Sequence, residues 1–433
     1  MTRASSPAPP TSLASARDDV DAAELPALLD RAVARVRAPD VVVAVSVDGR
    51  RTYATGGTGA ATAATTAATA TATAVAAPAP APDRAAADPN PAPTPAPARD
   101  RLGFALGSLT KTFTVLLLAD QARAGRLALD DPMAAYLPGS ALPRGDARRI
   151  TLRHLATHTA GLPRVPRDMV AGALLHPYAN GYAGYDRERL LAALARTRLR
   201  HSPGARWHYS NLGLALLGPV LERAAGAAFP DLLAARVLRP LGLEATALTV
   251  GPGGRRGDDR ERQAPAAFPA ATGYRADGRT PLPATEMAAF APAGGLVGTP
   301  GDLLGYAEAH LRAAGGPHAR ARTAARTAAG ARALPPTLAQ ALGDVQVPQL
   351  RRGSGHREET HTLTWYRHPA AGGPLLFHAG ATFGQQCFLG FHPPTRTAVA
   401  AFATRHDRTS AVVGSGYALL RLLAGRGGPG DGT

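Results

Sequence analysis

The sequence GSLTKTF, residues 107–113, contains the only lysine of this chain. The 433 residues include 48 Lys and Arg residues, and all of them except Lys111 are Arg. A buried ammonium can lose its proton near neutral pH whereas a guanidinium cannot, so a lone Lys in an Arg-rich chain indicates proton transfer. Ser108 precedes it by three residues, and residues three apart share one face of a helix. The stretch therefore predicts a helix that holds an amine beside a serine nucleophile.

The composition limits the class of protein. Hydrophobic residues make up 45% of the chain, which is enough for one large domain or two intertwined ones. A single Cys, Cys387, excludes an internal disulfide and a Cys-based metal cluster. The formal net charge is +16, which permits loose attraction to anionic surfaces. Because the Arg residues are dispersed and no nucleic-acid motif is present, we expect no specific nucleic-acid partner.

No targeting or membrane segment is visible in the sequence. Residues 1–20 contain Ala, Ser, Pro and Arg but not the apolar core of a secretory signal. The apolar runs at 113–119 and 212–221 are too short to span a bilayer. We therefore expect a soluble, cytoplasmic monomer without a transmembrane segment, or a secreted protein if the start site is mis-assigned.

Low-complexity stretches define the expected domain limits. Residues 1–20 and 426–433 are expected to be disordered, and 21–425 to form a single domain. Residues 55–100 consist of Ala, Thr, Gly and Pro with almost no large apolar side chain, so they cannot bury enough surface to offset the entropy of ordering. We interpret them as a flexible insert after a hairpin at 41–54. A linker between separate domains is less favoured, because the preceding segment is too small to be stable alone.

Hydrophobic patterns predict strands at both ends of the chain and helices between them. The predicted strands are 41–47, 51–54, 363–366, 375–378, 387–391 and 398–403. The predicted helices are 25–36, 108–124, one starting at Thr151, 188–199, 212–225, 229–238, 300–311 and 409–423. This order implies a sheet with helices on its faces and a mainly helical insertion.

Two further motifs follow Ser108-Leu109-Thr110-Lys111. They are Tyr209-Ser210-Asn211, before a predicted helix, and His378-Ala379-Gly380, at a predicted strand. In order and spacing the three motifs resemble those of the penicillin-recognising serine hydrolases, which include class C β-lactamases, low-molecular-weight D-alanyl-D-alanine carboxypeptidases and related esterases. The resemblance covers roughly 100–310 and 360–423. It implies an α/β fold of the α+β type, in which an antiparallel sheet from both chain ends is flanked by helices and joined by a mainly helical subdomain.

The resemblance also implies roles for the motif residues. Ser108 would be the nucleophile at a helix N-terminus, and Lys111 would be neutral or share its proton. Tyr209 would relay a proton to the leaving group, with a pKa lowered by the adjacent cation. Asn211 is expected to hydrogen-bond both Lys111 and a substrate amide. The backbone N–H groups of Ser108 and Ala381 would form the oxyanion hole.

The third motif departs from the β-lactamase pattern. His378 stands where β-lactamases usually have Lys, and a mostly neutral His attracts a substrate carboxylate less. We therefore expect carboxypeptidase or esterase activity rather than efficient β-lactam turnover, with His378 and Gly380 lining the substrate site. No glutamate can be assigned as a deacylating base. The expected substrate is a D-Ala-D-Ala-type peptide, a β-lactam or a small ester.

Other classes of function remain as alternatives. His154 and His158 lie four residues apart on a predicted helix and could bind zinc, but no H-E-x-x-H motif or third ligand accompanies them. We expect them to support the active-site wall, and we predict no metal ion and no cofactor. The absence of a G-x-S-x-G elbow argues against an α/β-hydrolase triad. A catalytically weak, penicillin-binding-like sensor or binding protein is the remaining alternative.

Overall fold

A computed structural model describes most of the chain: residues 24–59, 98–143, 145–170, 180–248, 268–314, 333–353 and 359–425. The predictions of disorder at 1–20 and 426–433 lie outside the described residues, as does most of the insert predicted at 55–100. The predicted limits of this insert are too wide, because Thr55 and Gly56 belong to a strand and Arg99 to a 3₁₀ turn.

Thirteen strands are found among the described residues. In chain order they are β1 Val41–Val47, β2 Arg50–Gly56, β3 Phe104–Ala105, β4 Thr246–Leu248, β5 Gly273–Tyr274, β6 Pro281–Leu282, β7 Leu296–Gly298, β8 Leu350–Arg352, β9 Glu359–His361, β10 Tyr366–Ala370, β11 Gly373–Ala381, β12 Gln386–His392 and β13 Thr397–Ala403. Eight of them form one antiparallel sheet in the order β2-β1-β13-β12-β11-β10-β9-β8. Because β1 pairs with β13, the predicted sheet built from both chain ends is confirmed.

The helices cover both faces of this sheet. In chain order they are α1 Glu24–Ala34, α2 Thr110–Arg123, α3 Leu152–Ala156, α4 Arg187–Ala195, α5 Asn211–Ala225, α6 Phe229–Leu233, α7 Arg239–Leu241, α8 Ala291–Gly294, α9 Pro300–Ala314, α10 Pro336–Asp344 and α11 Ala411–Gly425. Alternate residues of β1 enter two cores: Val41 and Val43 pack with α1 and α11, and Val42 packs with the larger helical layer. Successive side chains of β1 thus point alternately into the two cores.

Helix α2 lies inside the helical layer and starts at the candidate nucleophile. Every residue from Thr110 to Gln121 is buried, which is typical of a central helix rather than of an amphipathic surface helix. It packs against α5, α8 and α10. The predicted stop at Gly125 is confirmed, since this glycine has a φ of +69°. Ser108 is therefore fixed by the most buried helix of the fold.

A small three-stranded sheet, β3-β7-β4, fixes the segment that directly precedes α2. Phe104 pairs with Gly298, and Leu106 N donates to Leu296 O at 2.8 Å. The ends of the insert are also fixed: Arg99 forms an ion pair with Asp40 at 2.8 Å and donates to Gly59 O at 2.9 Å. Gly59 and Arg99, on either side of the insert, are therefore close together.

Several predicted bounds differ from the structure. The helix predicted to end at Leu238 continues through a π-helical turn, Ala234–Leu238, into α7, where Pro240 lies in a first turn that needs no N–H partner. The strand predicted at 363–366 begins only at Tyr366, because Thr362 and Trp365 close a turn with two mutual hydrogen bonds of 2.9 and 3.0 Å. Helix α4 ends at Ala195 rather than at 199.

None of the helices within the described ranges is by itself long and apolar enough to cross a bilayer. Only α5 taken together with Phe229–Leu241 has the required length and composition, and these two segments are bent by 81°. In α5 the residues from Asn211 to Leu221 are buried inside the protein.

Candidate active site

The candidate nucleophile lies where a tight turn meets the end of a strand. Gly107 starts a 3₁₀ turn with a φ of +47°, and α2 follows directly. A Cβ atom at Gly107 would lie 2.4 Å from Ala381 O, and one at Gly380 would lie 1.9 Å from Leu106 O. Both glycines are therefore required for the turn and β11 to approach each other. This close approach places the backbones of Ser108 and Ala381 side by side.

Three side chains of the first two motifs converge on one oxygen. Lys111 Nζ lies 3.1 Å from Ser108 Oγ, and the Tyr209 hydroxyl donates to the same oxygen at 2.6 Å. Lys111 Nζ also donates to Ala293 O at 2.6 Å. The predicted Ser–Lys spacing on one helical face is therefore realised, and Tyr209 closes the triangle from the start of α5.

Burial determines the charge of the lysine. Its side chain is 1% exposed, and this desolvation, followed by the positive charge of Arg164, lowers the pKa of Lys111 well below its ordinary value. A neutral amine can donate N–H groups to Ala293 O and Ser108 Oγ and still keep a lone pair with which to accept a proton. The geometry thus provides a base in hydrogen-bonding contact with a hydroxyl.

The electrostatics of Tyr209 differ from the prediction. Burial raises the pKa of this phenol, and the hydrogen bond to Ser108 and the charge of Arg164 only oppose that rise. The expected lowering assumed a cationic neighbour, but burial also lowers the pKa of Lys111 and disfavours its ammonium form. Tyr209 is therefore a protonated donor in the resting site, not a phenolate.

Asn211 makes a different contact from the one predicted. Its Nδ2 donates to the Tyr182 hydroxyl at 3.1 Å, whereas Lys111 bonds Ser108 and Ala293 instead. Within the described residues its Oδ1 is buried and has no hydrogen-bond partner. This carbonyl oxygen is free to accept an N–H from a bound molecule.

The neighbouring Ser210 anchors the second motif. Its Oγ donates to Pro163 O at 2.6 Å and accepts the Gly213 N–H at 2.9 Å, so that it caps α5 and ties it to the preceding loop. The position of Tyr209 on one side and Asn211 on the other therefore follows from a capping residue.

The two histidines considered as a zinc pair support the wall instead. His154 Nδ1 accepts the Thr151 N–H within a capping box, while His158 lies beyond the end of α3 with a φ of +60°. His158 Nδ1 accepts the Ser210 N–H at 3.2 Å, and its ring lies 4.4 Å from the Tyr209 ring. Each histidine therefore has its own backbone donor and a separate packing role. Among the described residues, no cluster of three or more His, Cys, Asp or Glu side chains could hold a metal ion.

His378 lies on β11 beside the triangle. It is 3% exposed, and its Nδ1 lies 2.8 Å from Ala379 O. Burial, with a contribution from Lys111, lowers the pKa of His378 to about 3. The ring is therefore neutral, as expected at pH 7. Because this pKa lies far below 6.5, the ring also stays neutral on mild acidification.

Several wall residues were not identified from the sequence. The Arg164 guanidinium carbon lies 5.2 Å from the centre of the Tyr209 ring, and Arg352 lies 4.0 Å over Trp207. Tyr366 places its ring 5.5 Å from that of His378. Arg164 follows the HTAGLP stretch at 158–163 and could have been found from it, whereas nothing in the sequence links β8 and β10 to the site.

The comparison with protein families agrees with this arrangement. The profile described as Beta-lactamase matches residues 25–423, which is most of the chain. The protein therefore belongs to the Beta-lactamase family.

The names of similar curated proteins refer to several different activities. D-alanyl-D-alanine-carboxypeptidase/endopeptidase AmpH of Escherichia coli K12 is 31% identical over 207 residues, 48% of each chain. A Beta-lactamase of Pseudomonas fluorescens is 26% identical over 332 residues, 74% of this chain and 84% of the relative. Esterase EstB of Burkholderia gladioli is 35% identical over 146 residues, 32% of this chain and 37% of EstB. The chain thus spans about half the length of AmpH and less of EstB.

Solved structures share the fold. A β-lactamase/D-alanine carboxypeptidase from Pseudomonas syringae superposes with a TM-score of 0.64 at 19% identity, covering 91% of this chain and 98% of the other. SurE with D-Leu superposes with a TM-score of 0.61 at 27% identity, covering 93% and 75%. The predicted β-lactamase-like fold is therefore confirmed.

Proposed function

We propose that this protein is a serine hydrolase that cleaves an ester or amide through an acyl-enzyme on Ser108. The observation that carries the proposal is the short triangle of Ser108, Lys111 and Tyr209, in which the lysine is buried and its pKa depressed. A buried neutral amine in contact with a hydroxyl is the arrangement that activates a serine.

Acylation begins with the transfer of the Ser108 proton to Lys111 Nζ as Oγ attacks the substrate carbonyl carbon. The carbonyl oxygen becomes an oxyanion, which the backbone N–H groups of Ser108 and Ala381 would bind; the close approach of Gly107 to Ala381 supports this assignment. Formation of an ammonium at Lys111 then makes proton loss from Tyr209 easier, since the amine lies 5.1 Å from its ring.

The leaving group departs with the Tyr209 proton, so the bond to the acyl carbon breaks as a neutral amine or alcohol forms. The resulting phenolate is stabilised by the Lys111 ammonium and by Arg164. In deacylation the phenolate accepts a proton from water, the hydroxide attacks the acyl carbon, and Ser108 Oγ recovers its proton from Lys111. The site thereby returns to neutral Lys111 and neutral Tyr209.

The enzyme would turn over peptides or small esters efficiently and β-lactams only slowly. Asn211 Oδ1, buried without a partner in the described part of the chain, would accept a substrate amide N–H. His378 is neutral and therefore supplies no charge for a β-lactam carboxylate. Gly380 would line the substrate site through its backbone, because the Leu106 carbonyl fills the position of a Cβ. Relatives named carboxypeptidase and esterase support this preference.

The test compares a short-chain nitrophenyl ester, a D-Ala-D-Ala peptide and a chromogenic cephalosporin. We expect the ester or the peptide to be hydrolysed faster than the cephalosporin. Ser108→Ala should abolish this activity, and Ser140→Ala, at an exposed surface turn, should retain it. Equal activity of wild type and Ser108→Ala would refute the proposal. A burst of acylation without turnover would instead support a penicillin-binding-like sensor.

A further inference from the structure

We propose that Arg164 forms an anion-binding subsite that selects substrates with a carboxylate on the acyl half. This inference rests on the serine hydrolase function proposed above. It concerns the part of the substrate that stays on Ser108, not the leaving group. The arguments are the fixed backbone of Arg164 and, among the residues that the structure describes, the absence of a carboxylate paired with it and of another available cation beside the nucleophile.

The backbone of Arg164 is fixed to the second motif. Its carbonyl oxygen accepts the N–H groups of Asn211 at 2.8 Å and Leu212 at 3.2 Å. The first turn of α5 thus holds Arg164 beside the residues that it would assist. An anion bound by this guanidinium would be positioned relative to Ser108 by main-chain contacts rather than by a flexible loop alone.

The guanidinium of Arg164 lies beside the candidate active site. Arg164 is exposed, and its guanidinium carbon lies 5.2 Å from the centre of the Tyr209 ring. The same charge adds to the lowering of the Lys111 pKa and opposes the rise that burial causes in the pKa values of Tyr182 and Tyr209, so the guanidinium lies close to all three groups. Within the described ranges no carboxylate forms an ion pair with it.

The other basic groups nearby are not available to an anion. Lys111 and His378 are buried, and each is held neutral. Arg352 is occupied by Glu359, with Nε donating to Oε2 at 2.8 Å. The positive charge of Arg164 is close enough to lower the pKa of Lys111 further and to oppose the rise in the pKa of Tyr209. An anionic substrate would be attracted to it.

The acyl half of the substrate is the part that would lie next to Arg164. Asn211 Oδ1 is the free acceptor for an amide N–H, and its amide is oriented by Tyr182. Arg164 is a neighbour of both residues. Its carbonyl oxygen accepts the Asn211 N–H, and its charge opposes the rise in the pKa of Tyr182. An acyl chain that donates its amide N–H to Asn211 would therefore present the group beyond that amide to the guanidinium. A carboxylate fits, because Arg binds it in a planar, bidentate manner.

The test uses three esters of D-alanine. N-acetyl-D-alanine 4-nitrophenyl ester is neutral, and the N-succinyl analogue carries a carboxylate beyond the acyl amide. N-acetyl-D-alanine 3-carboxyphenyl ester carries its carboxylate on the leaving group. The measured quantity is kcat/KM for each ester, with wild type, Arg164→Gln, Arg164→Lys and Arg126→Gln, an exposed Arg past the end of α2.

We expect the succinyl-to-acetyl ratio of kcat/KM to fall about tenfold in Arg164→Gln, the scale of a lost hydrogen bond to a charged group. Arg164→Lys should restore part of the ratio, Arg126→Gln should leave it at the wild-type value, and added salt should reduce it in wild type. An unchanged ratio in Arg164→Gln, or a loss confined to the 3-carboxyphenyl ester, would overturn the inference. Failure of the proposed function would look different, because wild type would then match Ser108→Ala on the acetyl ester.

Discussion

Replacing Tyr209 with Phe tests the proton relay with little change in packing. The variant keeps the ring that contacts His158 at 4.4 Å, and it removes only the hydroxyl that donates to Ser108 Oγ at 2.6 Å. Loss of one hydrogen bond should lower the free energy of unfolding by about 1 kcal/mol. Loss of a general acid should lower kcat by about 10²- to 10⁴-fold, which corresponds to about 3–5 kcal/mol of transition-state stabilisation.

The assay is steady-state hydrolysis of the preferred ester or peptide, together with urea unfolding of each variant. Tyr136→Phe is the matched control, because it removes a hydroxyl that donates to Asp131 at 2.5 Å away from the site. We expect Tyr136→Phe to hydrolyse the substrate at the wild-type rate. A loss below about threefold in Tyr209→Phe would assign the relay to Lys111 or to the substrate itself.

The pH profile provides a second readout of the same variant. Lys111 must be neutral to accept a proton, so activity should fall as pH decreases through its lowered pKa and be full above it. Tyr209 must keep its proton, and because burial raises its pKa from 10.0, wild-type activity should decline only above pH 10. Tyr209→Phe should retain the acid limb and lose the alkaline limb. An unchanged alkaline limb in this variant would refute the role of Tyr209.

Three further predictions concern the insert, the buried ion pair of α2 and the third motif. Replacing 61–96 with a short Gly/Ser joiner should keep kcat within about threefold, because Arg99 already fixes both ends of the insert; an insoluble or inactive product would show a structural role. Asp120→Ala should lower the free energy of unfolding in urea by about 2–3 kcal/mol, since it removes two bonds of 2.9 and 3.1 Å to the partly exposed Arg236; a loss below about 0.5 kcal/mol would contradict this. Between pH 7.5 and 5.5 the preference for a carboxylate-bearing over a neutral ester should change by less than about twofold, because the pKa of His378 is about 3; a step near pH 6.5 would contradict that assignment.

The sequence was sufficient for the features that local chemistry determines. The Ser108–Lys111 contact follows from helical spacing, and the cap at Ser210 follows from residue type and position. The strands at both chain ends follow from alternating hydrophobic residues, which enter two different cores. The edge strand β8, its neighbour β9 and the helix α10 were not predicted, because short or polar segments carry little periodicity.

Features that depend on burial and on distant loops could not be predicted. The raised pKa of Tyr209 requires knowing that the phenol itself is buried. The orientation of Asn211 depends on Tyr182, which lies 29 residues earlier in a loop with no motif of its own. The steric requirement for Gly380 appears only when the Leu106 carbonyl is seen against it.

The most direct test of the account is acylation of Lys111→Arg. Arg would be a permanent cation at this position and cannot accept a proton near neutral pH, so the folded variant should lose about 10³-fold in acylation rate. Wild type and variant are exposed to an activated ester or a penicillin, and the adduct is located by mass spectrometry, with urea unfolding to confirm that both are folded. The account predicts an adduct on the wild-type peptide containing Ser108 and an unmodified variant over the same time. Equal labelling of the two folded proteins would contradict it and leave Ser108 and Lys111 as neighbours without a shared function.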